Sequence, residues 1–243
     1  KLNLNFKTPL LIIGILSFLS CGTLKKGTAY EEFTNSSVIR FASFNTSLNR
    51  STEGGLINDL SSPENVQAKL VAEIIQRQNP DVIALLEFDF DVKKEAIKLF
   101  QKNYLNVSQN NVPSVNYKHV YVASSNTGKL MEVDVNGDGL LSIPQDTYGF
   151  GFFPGQYSFV VLSKCEIIEE DIRTFQKFKW NDMPNAMLPL KQDGNLYYSK
   201  EVMDVFRLSS KNHVDIPIKI ANHVIIHAIV AHPTPPVFDG IED

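Results

Sequence analysis

Three apolar, β-rich runs each lead into one polar residue suited to metal or phosphate chemistry. Val38-Ile39-Arg40-Phe41-Ala42-Ser43-Phe44 leads into Asn45, Val82-Ile83-Ala84-Leu85-Leu86 into Glu87, and Val224 to Ala231 into His232. Polar groups at strand ends converge on one rim of a sheet, where α/β proteins tend to build sites. A carboxylate there is a hard oxygen ligand, suited to Mg²⁺ or Mn²⁺; Mg²⁺ takes only one or two carboxylates and keeps several waters. Asn45 can orient a phosphate oxygen or a neighbouring carboxylate. His232 can donate a proton or hydrogen bond to a phosphate. Each residue also has a plainer reading. Glu87 is followed by Asp89 and Asp91, as in a solvated strand end; Asn45 suits a turn; His232 before Pro233 suits a structural role.

Other segments carry chemistry at lower specificity. Asp134-Val135-Asn136-Gly137-Asp138-Gly139 has the order that opens a calcium loop, with Asp134, Asn136 and Asp138 as candidate Ca²⁺ ligands. Its twelfth position is Gln145 rather than Glu, with Asp146 as a late ligand and no flanking helix pair, so an Asx- and Gly-rich turn is an equal reading. Arg207-Leu208-Ser209-Ser210-Lys211-Asn212-His213 clusters phosphate-binding types, with Arg207, Lys211 and His213 as candidate anion contacts. Tyr148 to Tyr157 places aromatics among glycines, which suits stacking on a ring-bearing substrate or, with the better prior, a loop folded onto the core. Cys165, after an apolar run, reads as a buried bystander rather than a nucleophile.

The elements that position these residues follow from pattern. Ser62 reads as a helix cap with Pro63 at the first helical position, and Val66, Leu70, Val71, Ile74 and Ile75 form an apolar stripe ending before Asn79-Pro80. The continuous apolar run at 82–86 predicts a strand covered on both faces. A second helix is expected over 92–102 with Asp91 as cap, and strands over 119–123, 158–162, 205–208 and 223–231. Strand, helix, strand in this order indicates a layered α/β fold.

The chain has 243 residues, 43% hydrophobic and 10% aromatic, enough for a sizeable core. Its net charge of -4 excludes polyanion binding by bulk positive charge. A metal can supply positive charge locally, so this does not exclude action on nucleic acid. Residues 1–21 read as an export signal: Lys1 and Lys7 are basic, Leu10 to Leu19 is nearly all apolar, and the run ends at Ser20-Cys21-Gly22. A small-residue context around Cys21 resembles a bacterial lipoprotein signal, in which that cysteine is lipidated. An ordinary cleaved signal or a membrane anchor is the alternative. The expectation is an exported, membrane-anchored protein, periplasmic or at the cell surface, with residues 22–37 as tether and 38–243 as the domain. Lys1 in place of Met, and an ending at Asp243 without a closing signal, read as truncation at both ends.

Asn45 after the first strand, the Gln78-Asn79-Pro80-Asp81-Val82-Ile83 entry to a strand ending in Glu87, the stretch Gln156 to Lys164, and a late strand ending in His232 together resemble the endonuclease/exonuclease/phosphatase superfamily. The resemblance implies two packed, mostly antiparallel sheets flanked by helices, incomplete at the C-terminus. It implies hydrolysis of a phosphate ester by metal-assisted, in-line attack of water. Glu87 would hold the metal, Asn45 and His232 would contact the phosphate, and Gln156 to Lys164 would be the central strand. The substrate class stays open among nucleic acid, lipid head groups and small phosphomonoesters. The family's Asp-x-Asn segment and its Asp-His pair, which carries the general base, would lie beyond Asp243, so the 243-residue chain is expected to be inactive by itself. The rival reading is a non-catalytic calcium-binding surface lipoprotein that keeps the fold.

Overall fold

The structure is a computed structural model, and it describes residues 38–234. The export segment with Cys21, the 22–37 tether and the tail from 235 lie outside the described residues. Within them, no helix is long and apolar enough to cross a membrane.

Two sheets face each other. The first has the order β1 (Phe41–Leu48), β2 (Val82–Phe88), β4 (Phe159–Ser163), β3 (His119–Val122), with β1 and β2 parallel and the other pairs antiparallel. The second is built on β7 (His213–Ala221). It pairs with β8 (Val224–Ala231) along one edge and with the short β5 (Glu166–Ile167) and β6 (Arg173–Thr174) along the other. Helices α1 (Gly55–Leu60), α2 (Val66–Gln78) and α3 (Glu95–Phe100) cover the outer face of the first sheet, and the short α4 (Lys200–Met203) lies in the loop before β7. This is the two-sheet α/β architecture expected from the sequence.

Strand alternation divides the core into two layers. Ile83, Leu85, Val160 and Leu162 pack toward the helices with Leu48, Val71, Ile75, Phe100 and Tyr104. Their neighbours Val82, Ala84, Phe159 and Val161 pack between the sheets against Val214, Ile216 and Ile218. Both faces of β2 and β4 are therefore covered, which is why those runs are apolar throughout. Cys165 is buried in the inter-sheet layer, and burial pushes its thiol up to about 11, so it is inert as a nucleophile.

Several element boundaries differ from the sequence expectation. Helix α2 begins at Val66 rather than Pro63, because Asn65 caps it by accepting from the Ala68 N–H at 2.9 Å. Its buried stripe is Ala68, Val71, Ala72, Ile75 and Gln76; Val66, Leu70 and Ile74 are exposed. Gln76 is buried because its amide donates to the Tyr104, Leu105 and Val107 carbonyls, closing the π-helical turn Gln101–Leu105 that follows α3. Asp91 does serve the start of α3, accepting from the Glu95 and Ala96 N–H groups. Residues 205–208 form no strand; they make a single bridge, Lys179 to Arg207. The strand in that region is β7, whose alternation Val214-Asp215-Ile216-Pro217-Ile218 is interrupted by a proline that ordinarily argues against a strand interior. Pro217 is tolerated because only its carbonyl is needed on the β5 side, where it accepts from Ile168 N–H at 3.0 Å.

Candidate active site

The ends of β1, β2, β3 and β8 and the starts of β4 and β7 meet at one rim. Asn45 is not beyond β1 but inside it, at a bulge. Asn45 pairs with Leu86 and Leu48 with Phe88, so three steps along β1 match two along β2. Bulges re-aim side chains next to functional sites. Here Ser47 (φ 48), Glu87 (φ 58) and, before β4, Tyr157 (φ 58) all occupy the left-handed region. A non-glycine residue there costs about 1–2 kcal/mol, and three such residues border one site.

The bulge delivers two amides to one carboxylate. Asn45 Nδ2 donates to Glu87 Oε1 at 2.8 Å and Asn49 Nδ2 to Glu87 Oε2 at 2.9 Å. Asn45 is itself oriented by the Ser47 N–H, which donates to its Oδ1 at 3.1 Å. Each Glu87 oxygen has accepted one hydrogen bond and keeps capacity for a second partner. The Glu87 side chain is 24% exposed, so it is held in place without being sealed.

The second sheet supplies the opposite wall. His213 pairs with Ala231, so Lys211 and His232 both lie just beyond that pair, close enough for the Lys211 charge to act on His232. His232 Nε2 stands 4.0 Å from Glu87 Oε1, beyond hydrogen-bond length, and its Nδ1 is buried without a partner among the described residues. Burial first, and the Lys211 charge second, push the His232 pKa down, against Glu87 and a hydrogen bond to the Tyr157 backbone, which raise it. Lys211 is 8% exposed, and burial lowers its pKa while Glu87 raises it. A carboxylate with spare lone pairs, a buried lysine and a histidine with an unsatisfied nitrogen fit a hard cation and the phosphate oxygens it would hold. Among the described residues, no three His, Cys, Asp or Glu side chains form a metal cluster.

Asp89 braces the rim. It is buried and accepts from the backbone N–H of Arg50 at 2.7 Å and of Tyr157 at 3.0 Å, tying the loop after β1 to the loop before β4. Burial pushes its carboxyl up to about 6, with those two hydrogen bonds opposing. Gln156 closes the same joint: its amide donates to the Arg50 carbonyl at 2.6 Å, and its Oε1 accepts from Phe152 N–H at 2.8 Å.

Not every candidate residue joins the rim. Among Arg207, Lys211 and His213, only Lys211 faces Glu87. Arg207 donates to Asn126 Oδ1 and stacks 3.7 Å above the centre of the Tyr148 ring. His213 alternates with the inward Val214 and so faces away from the inter-sheet core; burial alone lowers its pKa. In the acidic loop, Asp134 accepts from the Gly137 and Gly139 N–H groups, each at 2.7 Å, and Asn136 and Asp138 accept from residues two positions on. Its carboxylates are thus held by the loop's own backbone. Of the aromatic loop, Tyr148 supports Arg207 and Phe153 is buried, but Phe150 and Phe152 are exposed and pack edge to face with centroids 5.4 Å apart. The loop is partly folded onto the body and partly open.

Sequence reasoning missed Asn49, Asp89 and Asn126. Asn49 is sought only once the bulge is known, since four residues past Asn45 it has no pattern of its own. Asn126 is fully buried within a polar stretch, Ser124 to Thr127, that carries no periodic signal.

Two facing sheets with a carboxylate, a lysine and a histidine gathered at their common rim define a class of fold and site, and the sequence places the chain in it. The model of the endonuclease/exonuclease/phosphatase family matches residues 42–240, and the chain belongs to that family of phosphoester hydrolases. Among solved structures, it is similar to an endonuclease/exonuclease/phosphatase family protein from Leptotrichia buccalis, with 13% identity, a TM-score of 0.41, and coverage of 82% of this chain and 55% of that one. It is also similar to an endonuclease/exonuclease/phosphatase from Beutenbergia cavernae, with 12% identity, a TM-score of 0.34, and coverage of 79% of this chain and 37% of that one. The chain thus spans about half the length of the first and less of the second. No curated protein matches the sequence.

Proposed function

We propose that this rim hydrolyses a phosphate ester with Mg²⁺ or Mn²⁺ held at Glu87. The observation that carries the reading is the double amide clamp on Glu87, set opposite Lys211 and His232. A bound divalent ion would supply charge neutralisation on the phosphoryl and leaving oxygens. Asn45 and Asn49 fix the Glu87 carboxylate, so it needs no reorganisation when charge develops nearby. Lys211 offers a buried positive charge to a non-bridging phosphate oxygen, and His232, kept largely neutral by burial and by Lys211, offers a ring N–H. Both act at low local dielectric, where such contacts are stronger than in water. The test is turnover of phosphomonoester and phosphodiester substrates by the intact protein, with Mg²⁺ and with chelator, for the wild type and Glu87→Gln. Metal-dependent turnover that Glu87→Gln abolishes supports the reading. Turnover indifferent to both chelator and substitution refutes it.

The place of action is a further proposal, resting on the apolar run Leu10 to Leu19 and on Cys21, both outside the described residues. The protein is exported and anchored to a membrane by a lipid on Cys21. Cys21→Ser should move it from the membrane to the soluble fraction; identical fractionation of both forms in the cytosol would refute the anchor.

A further inference from the structure

Four segments that carry cationic residues are tied to one buried residue, Asn126. Asn126 is fully buried, and every polar atom of its amide is used. Its Nδ2 donates to the carbonyls of Gln176 and Ser209, both at 2.7 Å, and its Oδ1 accepts from Arg207. Its backbone N–H donates to the Lys211 carbonyl at 2.9 Å, and its carbonyl accepts from the Lys129 N–H at 3.3 Å. The segments of Lys129, Lys177, Arg207 and Lys211 are therefore fixed around one hub, although they lie up to eighty residues apart in sequence.

Lys211 turns to Glu87. The other three lie around the same hub, Lys129 and Lys177 through their chain neighbours and Arg207 through its guanidinium. The charges of Arg207 and Lys177 both act on Lys129, adding to the effect of its partial burial and lowering its pKa. None of the three has a carboxylate ion-pair partner among the described residues. Lys129 Nζ donates only to Ser124 Oγ at 3.2 Å, and Arg207 is held flat on Tyr148. Tyr148 N–H in turn donates to the Lys129 carbonyl at 3.0 Å, so the stacked ring and guanidinium are tied to the Lys129 backbone. Like charges gathered without a counter-charge raise the energy of the folded state. A built cluster of this kind relaxes when an anion enters. Phosphate suits it best, because a planar guanidinium and two ammonium groups can together satisfy several of its oxygens.

We infer that Lys129, Lys177 and Arg207 form a second anion subsite beside the Glu87 rim, which takes a non-reacting phosphate of the substrate. Its role with substrate rests on the phosphoester-hydrolase reading; its ability to bind phosphate does not. Substrates with two phosphate groups are then preferred over those with one, through KM. The chain's overall negative charge does not oppose this, because the field is local to the corner.

Binding and turnover are tested separately. Inorganic phosphate is titrated calorimetrically into the intact, metal-free protein, with the thermal transition of each variant as a folding control. The double substitution Lys129→Gln/Lys177→Gln should weaken phosphate binding by about tenfold or more, as expected for two lost charge-assisted contacts. Lys69→Gln should weaken it less than about twofold, because Lys69 lies on α2 and pairs with Glu64 at 3.1 Å rather than with the hub. Absent saturable binding in the wild type, unchanged affinity in the double variant, or an equal loss in Lys69→Gln would overturn the subsite. In turnover, the ratio of KM for a singly phosphorylated substrate to that for a doubly phosphorylated one should fall toward unity in the double variant. An unchanged ratio in an active enzyme would overturn the substrate preference. A protein that binds phosphate in this way yet turns over no ester would instead count against the hydrolase reading alone.

Discussion

Glu87 and Asp134 look alike in sequence: each is an acid in a context that could bind a metal. The structure treats them differently. Asp134 is held by N–H groups three and five residues away in its own loop. Glu87 is held by amides 42 and 38 residues away, on a bulged strand, and faces a lysine and a histidine from the other sheet. A carboxylate bound by its own turn makes that turn. A carboxylate bound by distant side chains, with buried nitrogens opposite, is organised for something outside itself. That organisation has a cost in left-handed backbone at Ser47, Glu87 and Tyr157 which the 134–146 loop, with glycines at its positive-φ positions, largely avoids.

The sharpest way to break the comparison is to neutralise each acid. Glu87→Gln keeps volume and should lower metal-dependent turnover by about a hundredfold or more while the thermal transition stays near its wild-type position. Asp134→Asn should leave turnover unchanged. If the two substitutions cost the same activity, the distinction fails. Lys211→Met comes next: loss of a preorganised charge at the phosphate should reduce kcat/KM by about tenfold or more, whereas His213→Ala, facing the other way, should change it less than about twofold.

Stability ranks the acids in a different order. Asp146 is buried and accepts from Val135 N–H at 2.7 Å and Ser142 N–H at 2.8 Å, so Asp146→Ala should cost about 2 kcal/mol through two stranded donors. Asp134→Ala, whose donors meet water, should cost less than about 0.5 kcal/mol. Denaturant unfolding separates these. A third acid, Asp215, is bound across strands by Arg173 and by His227 Nδ1 at 2.8 Å. The Arg173 hydrogen bond holds its carboxyl below the usual range, with burial opposing and His227 assisting. A lowered carboxyl contributes stability that is present above its unfolded value near about pH 4 and lost as pH falls through the lower folded value. The stability gap between the wild type and Asp215→Asn should thus be full at neutral pH and close in acid; a gap constant with pH would remove the ion pair from the account. The smallest expected effect is that of Ca²⁺ on the acidic loop, whose carboxylates already have backbone partners: the melting temperature should not move. A clear rise would place Asp134, Asn136 and Asp138 with the ligand-binding acids.

The sequence determined the layers and named the candidate residues that the structure brings to the rim. A two-sided apolar run marked β2 as an interior strand, the family resemblance marked 156–164 as the central one, and a polar residue after each of three apolar runs marked Asn45, Glu87 and His232, because these signals are written in neighbouring residues. It misplaced local boundaries where a side chain decides them, as Asn65 does for α2, and it missed β7 because Pro217 broke the expected pattern. Only the tertiary structure decided which charges meet. Asn49 reaches Glu87 because a bulge rotates it there. Lys211 joins the rim from the bend before β7, while His213, the first residue of β7, faces outward. Arg207 stays at the hub because Asn126 and Tyr148 hold it. Such choices depend on contacts across 38 to 106 residues, and no local pattern of residue types records which distant partner will be within hydrogen-bond reach.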